Sequence, residues 1–154
     1  MIAFFLFYNK ANGKQRFFSF GDDLQHCDVI CFDGKVWIGF QFSNKGIDFA
    51  QVKVTKVSRL LKHLPIIPEL VTIIGIDVER KTVFPWKPFW IRSCNELCRY
   101  LTGVDIGFTL NPRHLLKKLL KYDGKRNFQV IYAWRRESWD SLVATTSQTI
   151  EPMT

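Results

Sequence analysis

The chain has 154 residues, of which 47% are hydrophobic and 15% aromatic, and it carries a formal net charge of +8 at neutral pH. This length and composition are typical of one globular domain with a substantial buried core. No apolar run approaches the roughly 20 residues that a membrane-spanning helix needs, so the sequence argues against a membrane span. The first eight residues lack a basic start and a cleavage site, which favours a strand over an export signal. We therefore expect a cytoplasmic protein whose four cysteines are reduced thiols.

The first half of the chain is dominated by strand patterns. A polar loop is predicted at 9–16 and a short strand at 17–20, and an amphipathic helix at 56–63 is ended by Pro65. The longer predicted strands cover residues 1–8, 27–32, 35–42 and 47–55. The dipeptide Asp33-Gly34 separates the second and third of these and is typical of a two-residue hairpin turn.

The second half of the chain is mostly helical, with two further strands at 70–78 and 128–134. Residues 79–89 contain two prolines and are predicted to form a loop. One helix is predicted from Cys94 to a stop at Gly103, and a second begins at the cap Asn111-Pro112 and runs to about Tyr122. Strands first and helices later indicate an α+β fold. We expect one domain at 1–136, followed by a polar and mobile extension at 137–154.

A cysteine at the start of the first of these helices is the leading candidate nucleophile. Ser93 and Glu96 form a capping-box pattern that places Cys94 in the first helical turn. The unpaired backbone N–H groups and the helix dipole favour a thiolate there. Taken alone, Cys94 is equally consistent with a small buried core residue.

A histidine at the start of a predicted strand is the candidate base. If Asp33 and Gly34 are the only loop residues of the hairpin, Gln41 lies directly opposite His26 on the same face. A Gln41 amide can then orient one imidazole nitrogen and leave the other available as a base. Taken alone, His26 is also consistent with a polar residue at a strand edge.

A metal centre is the competing interpretation of the cysteines and histidines. Cys27 and Cys31 are four residues apart on a strand, about 13 Å at ~3.3 Å per residue, so they cannot bind one zinc ion. Cys94 and Cys98 lie one helical turn apart but lack the short spacing typical of structural zinc. We therefore predict no metal and no cofactor, and assign Cys27, Cys31 and Cys98 to packing.

Three segments resemble the circularly permuted branch of the NlpC-type, papain-like cysteine hydrolases, especially its compact phage-encoded members. The segment QHCDVICFDGKVW is similar to the histidine-led strand and hairpin of that family, RSCNELCRYLTG to its nucleophile helix, and FTLNPRHLLKKLL to the helix that follows. In this branch the histidine strand precedes the cysteine helix. The resemblance implies a permuted papain-like fold with Cys94 as nucleophile, His26 as base and a polar orienting residue, which we expect to be Gln41.

This resemblance implies a thiol hydrolase, either a peptidase or an amidase, or an acyltransferase, acting through a covalent acyl-enzyme in the cytoplasm, which is the host cytoplasm for a phage protein. The aromatic segment before the nucleophile is expected to border an apolar substrate cleft, and so is Trp37 on the histidine face of the hairpin. The predicted substrate-binding residues are Trp86, Phe89, Trp90 and Trp37. The same rings are equally well suited to filling a core.

A cluster of basic residues supports a different function. Such a surface attracts anionic partners at long range, although a solvated helix face has the same pattern. Its members include Arg113, Lys117, Lys118 and Lys121. The alternative to a hydrolase is therefore a non-enzymatic phage accessory protein that binds a nucleic acid or a host protein. A hydrolase-derived protein that has lost its activity is a third possibility.

Overall fold

The computed structural model describes residues 1–9, 24–32, 34–43, 46–54, 56–79, 93–121 and 127–136. These residues form a six-stranded antiparallel sheet with helices on both faces. The strands are β1 (Ile2–Tyr8), β2 (His26–Phe32), β3 (Trp37–Ser43), β4 (Gly46–Val52), β5 (Leu70–Val78) and β6 (Phe128–Arg135). Their order across the sheet is β4-β3-β2-β1-β5-β6, so β1 and β5 are interior and nearly all their side chains are buried.

Three α-helices cover the two faces of this sheet. Helix α1 (Val57–His63) and the short 3-10 turn Leu64–Ile66 pack on one face, where Leu60 and Leu64 join a core with Phe4 and Ile73. Helices α2 (Cys94–Thr102) and α3 (Pro112–Leu120) pack on the other face. The core between these helices and the sheet is formed by residues of both, including Phe5, Phe7, Cys27 and Val29 from the strands and Cys98, Leu115 and Leu119 from the helices. The predicted mixed α+β class is confirmed.

Both helices on this second face begin where the sequence predicts, and α2 also ends at the predicted glycine. Ser93 caps α2 by accepting a hydrogen bond from the Glu96 backbone N–H, and Gly103 ends it in the left-handed conformation with φ of 70°. Asn111 caps α3, and its Oδ1 accepts a hydrogen bond of 2.8 Å from the His114 backbone N–H. The helix pattern continues to Tyr122 in the sequence, but α3 ends at Leu120.

The predicted register of the β2–β3 hairpin is wrong by two residues. Phe32 pairs with Trp37 instead of Lys35, so four residues, 33–36, connect the strands. Packing explains the shift, because Trp37 is 2% exposed and its ring centroid lies 4.9 Å from that of Phe32. This aromatic contact in the core outweighs the local preference of Asp-Gly for a two-residue turn. A shift of two preserves the alternation, so the face assigned to each residue remains as predicted.

Several predicted features fall outside the described residues. They are most of the loop and strand at 9–20, most of the loop at 79–89 and the C-terminal extension at 137–154. Those assignments remain predictions.

The packing around Gly75 gives a test of the sheet. A Cβ atom at Gly75 in β5 would lie 2.6 Å from Phe4 Cε1 and 2.8 Å from Tyr132 Cβ. Because neither neighbour can move freely in the core, we expect Gly75→Ala to lower the free energy of unfolding by about 1–3 kcal/mol. Gly39→Ala is the matched control, since the nearest atom to its added Cβ is 3.6 Å away. Chemical denaturation measures both variants, and equal stabilities would contradict the packing described for β1, β5 and β6.

Candidate active site

Helix α2 holds Cys94 at its first position, against the sheet. Cys94 is 9% exposed. The other buried residues of α2, including Leu97 and Cys98, anchor the helix in the core. The first N–H groups of a helix have no acceptor within it, so they and the dipole favour negative charge at this sulfur. Position and burial together give a thiol that is fixed in place and lies in a field that stabilises its anion.

His26 is held by a carboxylate on its own strand. Its Nε2–H donates a hydrogen bond of 2.6 Å to Asp28 Oδ1, and the His26 residue is only 5% exposed. Residues two apart on a strand share a face, which explains why these two side chains meet. Nδ1 is also buried and has no hydrogen-bond partner among the described residues. One ring nitrogen is therefore fixed and the other is left available.

Tyr8 completes the surroundings of this histidine. It pairs with His26 across the β1–β2 ladder, and the two ring centroids are 5.9 Å apart. Burial, together with the charge of Asp28 and a hydrogen bond to it, raises the pKa of the Tyr8 hydroxyl well above its usual range. Tyr8 therefore stays protonated, and its hydroxyl is available to donate to the carboxylate that fixes the imidazole.

His26 and Cys94 interact although strand alternation places them on different sides of β2. Cys27, the next residue, faces α2, whereas His26 shares its face with Asp28. His26 is the first residue of β2, however, and its ring interacts with the Cys94 sulfur strongly enough that each group shifts the pKa of the other. Because His26 lies at the end of the strand, its ring can interact with Asp28 on one face and with the Cys94 sulfur on the other.

Cys27 is the second partner of the Cys94 sulfur. A hydrogen bond from the Cys27 thiol is the largest influence on Cys94 and lowers its pKa. Burial, together with Cys94 and Cys98, raises the pKa of Cys27 well above its usual value, so it remains a thiol and a donor. Its Sγ lies 3.8 Å from Cys98 Sγ. Cys27, which the sequence assigns to packing alone, is indeed buried, but it also interacts with the Cys94 sulfur.

These contacts make Cys94 and His26 an ion pair at neutral pH. The hydrogen bond from Cys27 and the interaction with His26 together outweigh the opposing effect of burial and lower the pKa of Cys94 to about 5. Burial opposes the charging of His26, but the hydrogen bond to Asp28 and the interaction with Cys94 outweigh it and raise its pKa to about 10. Between these two values the arrangement is a thiolate beside an imidazolium, which combines a nucleophile with a proton donor.

Asn95 links the nucleophile to the segment before α3. Its Oδ1 lies 3.5 Å from Cys94 Sγ and accepts a hydrogen bond from the thiol form, while its Nδ2 donates to the Thr109 carbonyl at 3.0 Å. Asn95 is only 2% exposed. Because Asn95 follows Cys94 in the chain, its hydrogen bond to Thr109 ties the backbone before α3 to the first turn of α2.

The other residues predicted for the site do not lie together around His26 and Cys94 in the part of the chain that the structure describes. Gln41 is exposed and pairs with Asp48 of β4, and the corrected register does not place it opposite His26. The orienting position next to His26 is occupied by Asp28 instead. Trp37 is buried in the core on the α1 face, so it is not an accessible wall of a cleft. Trp86, Phe89 and Trp90 lie outside the described residues.

The basic residues predicted as a partner surface lie on and just after α3. Lys117 and Lys121 are exposed, and Arg113 is half-buried. Lys118 has a structural role, because its Nζ donates to the carbonyls of Ile106 and Phe108 at 3.1 and 2.7 Å.

Sequence reasoning missed Asp28 and Tyr8. The spacing of His26 and Asp28 was a usable signal, because residues two apart on a strand share a face. Tyr8 could be found only from the β1–β2 register, which local patterns do not specify.

No protein-family model, curated protein or solved structure matches the chain.

None of the helices in the described ranges has the length and apolar character needed to cross a membrane. Within those same ranges, no group of three or more histidine, cysteine and acidic side chains is arranged to hold a metal ion. The interpretation of the site therefore depends on its own geometry.

The lowered pKa of Cys94 predicts an unusual pH dependence of alkylation. With a pKa of about 5, the thiolate is almost fully formed above about pH 6, so its alkylation rate rises through pH 5 and then levels off. Alkylation by iodoacetamide, followed by peptide mass spectrometry, measures all four cysteines together. Cys27 and Cys98 should react slowly because burial raises their pKa. Equal, slow labelling of all four thiols in the folded protein would contradict the ion pair.

Variants assign the cause of this pH dependence. We expect Asp28→Asn and Cys27→Ala to move the midpoint for Cys94 upward. Alkylation at pH 6 should then slow by about twofold for the first pH unit of displacement and by about tenfold for each further unit. Gln41→Ala is the control for Asp28→Asn because Gln41 is exposed. Cys31→Ala is the control for Cys27→Ala because it removes a buried thiol farther along the same strand. A midpoint that moves with Gln41→Ala but not with Asp28→Asn would show that Gln41, and not Asp28, orients His26.

Proposed function

We propose that the protein is a cysteine hydrolase or acyltransferase, with Cys94 as nucleophile, His26 as acid and base, and Asp28 as the orienting group. The observation that carries this proposal is the interaction of the buried Cys94 sulfur with the His26 ring, whose Nε2 is fixed by Asp28. Burial opposes such charges, so a fold that retains them as a pair is a candidate for chemistry.

The first half of the reaction forms an acyl-enzyme. The Cys94 thiolate attacks the carbonyl carbon of an amide or ester, and the carbonyl π electrons move to its oxygen. The backbone N–H of Cys94 lies in the first turn of α2 and is available to stabilise this oxyanion. The bond to the leaving group then breaks, and the leaving group takes the proton from Nδ1 of the His26 imidazolium. The products are a thioester on Cys94 and a neutral imidazole.

The second half of the reaction releases the acyl group. Neutral His26 accepts a proton at Nδ1 from water, or from an acceptor alcohol or amine, as that molecule attacks the thioester carbonyl. The carbon–sulfur bond breaks, and the Cys94 thiolate returns beside a protonated His26. Asp28 stays hydrogen-bonded to Nε2 throughout, which keeps the reactive nitrogen directed at the reaction. Water as acceptor gives hydrolysis, and another nucleophile gives acyl transfer.

The permuted NlpC-type relationship is part of this proposal. In its favour are the chain order, with the histidine strand before the cysteine helix, and the packing of α2 against an antiparallel sheet. A reducing compartment such as the cytoplasm suits the proposed chemistry, because all four thiols are free and Cys94 must stay reduced to react.

The proposal predicts a covalent intermediate on one residue. Incubation with short-chain and long-chain acyl thioesters, and with a panel of cell-wall-type peptides, should add the mass of one acyl group to Cys94, detectable by intact-protein and peptide mass spectrometry. Acylation should require the thiolate and the imidazolium together, so its rate should rise through about pH 5 and fall through about pH 10.

Cys94→Ala should abolish the adduct, and His26→Ala should slow its formation at neutral pH. Cys98→Ala is the control that removes a neighbouring thiol on the same helix. If Cys94 is reactive towards iodoacetamide but no acyl donor in the panel modifies it, the proposed acyl chemistry fails for these substrate classes. A specific protein target then becomes the better hypothesis.

A further inference from the structure

Exposed apolar side chains concentrate beside α3. Six large hydrophobic residues in the described ranges are exposed, and three of them lie between positions 108 and 120. They are Phe108 at 63%, Leu110 at 70% and Leu120 at 53% exposed. Single exposed apolar residues are normal on a protein surface, but a local group of them is typical of a docking site.

The backbone that carries Phe108 and Leu110 is held in place. Lys118 binds the Phe108 carbonyl at 2.7 Å, and the Leu110 N–H donates to His114 Nδ1 at 3.4 Å. Both contacts come from α3, so the loop is tied to the helix through its polar backbone. The apolar side chains therefore project outwards from a braced loop.

The segment that carries these side chains contains charges of one sign only. Between Ile106 and Lys121 the sequence contains no aspartate or glutamate. Arg113, Lys117 and Lys121 follow at four-residue spacing, which places them on one face of the helical segment, and Lys117 and Lys121 are exposed. Leu120 lies next to this row. Cations beside projecting apolar side chains are complementary to a partner that has an anionic outer layer and an apolar interior.

We propose that Phe108, Leu110 and Leu120, with Lys117 and Lys121, form a docking surface for an anionic lipid membrane. The lysines face the headgroup phosphates and carboxylates, and the apolar side chains enter the boundary with the acyl chains. Single-stranded nucleic acid fits less well, because stacking on bases needs aromatic rings and Phe108 is the one aromatic residue of this surface. Two exposed leucines offer a base neither a stacking surface nor a hydrogen bond.

The docking surface lies next to the candidate active site. Thr109, between Phe108 and Leu110, accepts the hydrogen bond from Asn95, which follows Cys94 directly. The backbone between the two apolar side chains is therefore one hydrogen bond away from the residue that follows Cys94. This inference does not depend on the proposed catalysis, because binding needs no activity at Cys94.

The experiment is a vesicle co-sedimentation assay on the full chain carrying Cys94→Ala, which separates binding from any reaction. Vesicles of phosphatidylcholine with phosphatidylserine should bind the protein, whereas vesicles of phosphatidylcholine alone should bind it weakly. Added salt should weaken the binding, because the lysines contribute through long-range attraction. The double variant Phe108→Ser with Leu110→Ser, and the double variant Lys117→Gln with Lys121→Gln, should each reduce binding by about tenfold.

Matched controls use equally exposed residues elsewhere. Phe49→Ser removes a side chain that is 75% exposed on β4, and Lys53→Gln with Lys56→Gln removes two exposed lysines before α1. These variants should bind vesicles as the parent does. Absence of phosphatidylserine-dependent binding would overturn the proposal, and so would equal losses in the control variants. Tighter binding to a single-stranded oligonucleotide than to the vesicles would overturn it in favour of a nucleic-acid surface.

Discussion

The hydrogen bond between His26 Nε2 and Asp28 Oδ1 is the interaction on which the candidate site depends. At 2.6 Å it fixes the imidazole, and it helps to keep the ring charged in a place where burial opposes charge. The charged ring in turn favours the Cys94 thiolate. The imidazolium is the cation between the half-buried Asp28 carboxylate and the buried Cys94 thiolate, so its removal would leave the thiolate charge uncompensated.

The fold supplies the rigid elements that hold this set together. Strand β2 lies between β1 and β3, and its first three residues, His26, Cys27 and Asp28, are paired with β1, which fixes their backbone. Helix α2 is fixed by its serine cap and by the packing of Cys98 against Cys27. Tyr8, on the interior strand β1, keeps a neutral hydroxyl next to the Asp28 carboxylate. Three elements therefore each contribute a side chain at one end of the sheet, the arrangement that precise catalytic geometry requires.

Most of the architecture could be predicted from local patterns. The capping signals of α2 and α3 are chemical and local, and the alternation of β2 and β3 assigned each side chain to its face. The hairpin register could not be predicted, because the stacking of Trp37 on Phe32 and Phe4 is a tertiary contact that outweighs the preference of Asp33-Gly34. The error in register led to Gln41 as the orienting residue.

The position of Cys94 and its pairing with His26 were predictable as a hypothesis, but the partners of both residues were less so. Asp28 could be found from its spacing to His26, whereas Tyr8 and the donor role of Cys27 require knowledge of how β1, β2 and α2 meet. A buried cysteine gives the same sequence signal whether it packs or donates a hydrogen bond.

Titration of the His26 imidazole by nuclear magnetic resonance tests the central claim most directly, with the wild-type chain compared with Cys94→Ser. The ion pair predicts that the ring stays protonated through neutral pH in the wild type and titrates near pH 10. The serine variant should titrate at lower pH, because Asp28 remains but the thiolate is gone. A wild-type ring that titrates near its ordinary pKa of 6.5, unchanged by Cys94→Ser, would contradict the thiolate–imidazolium pair.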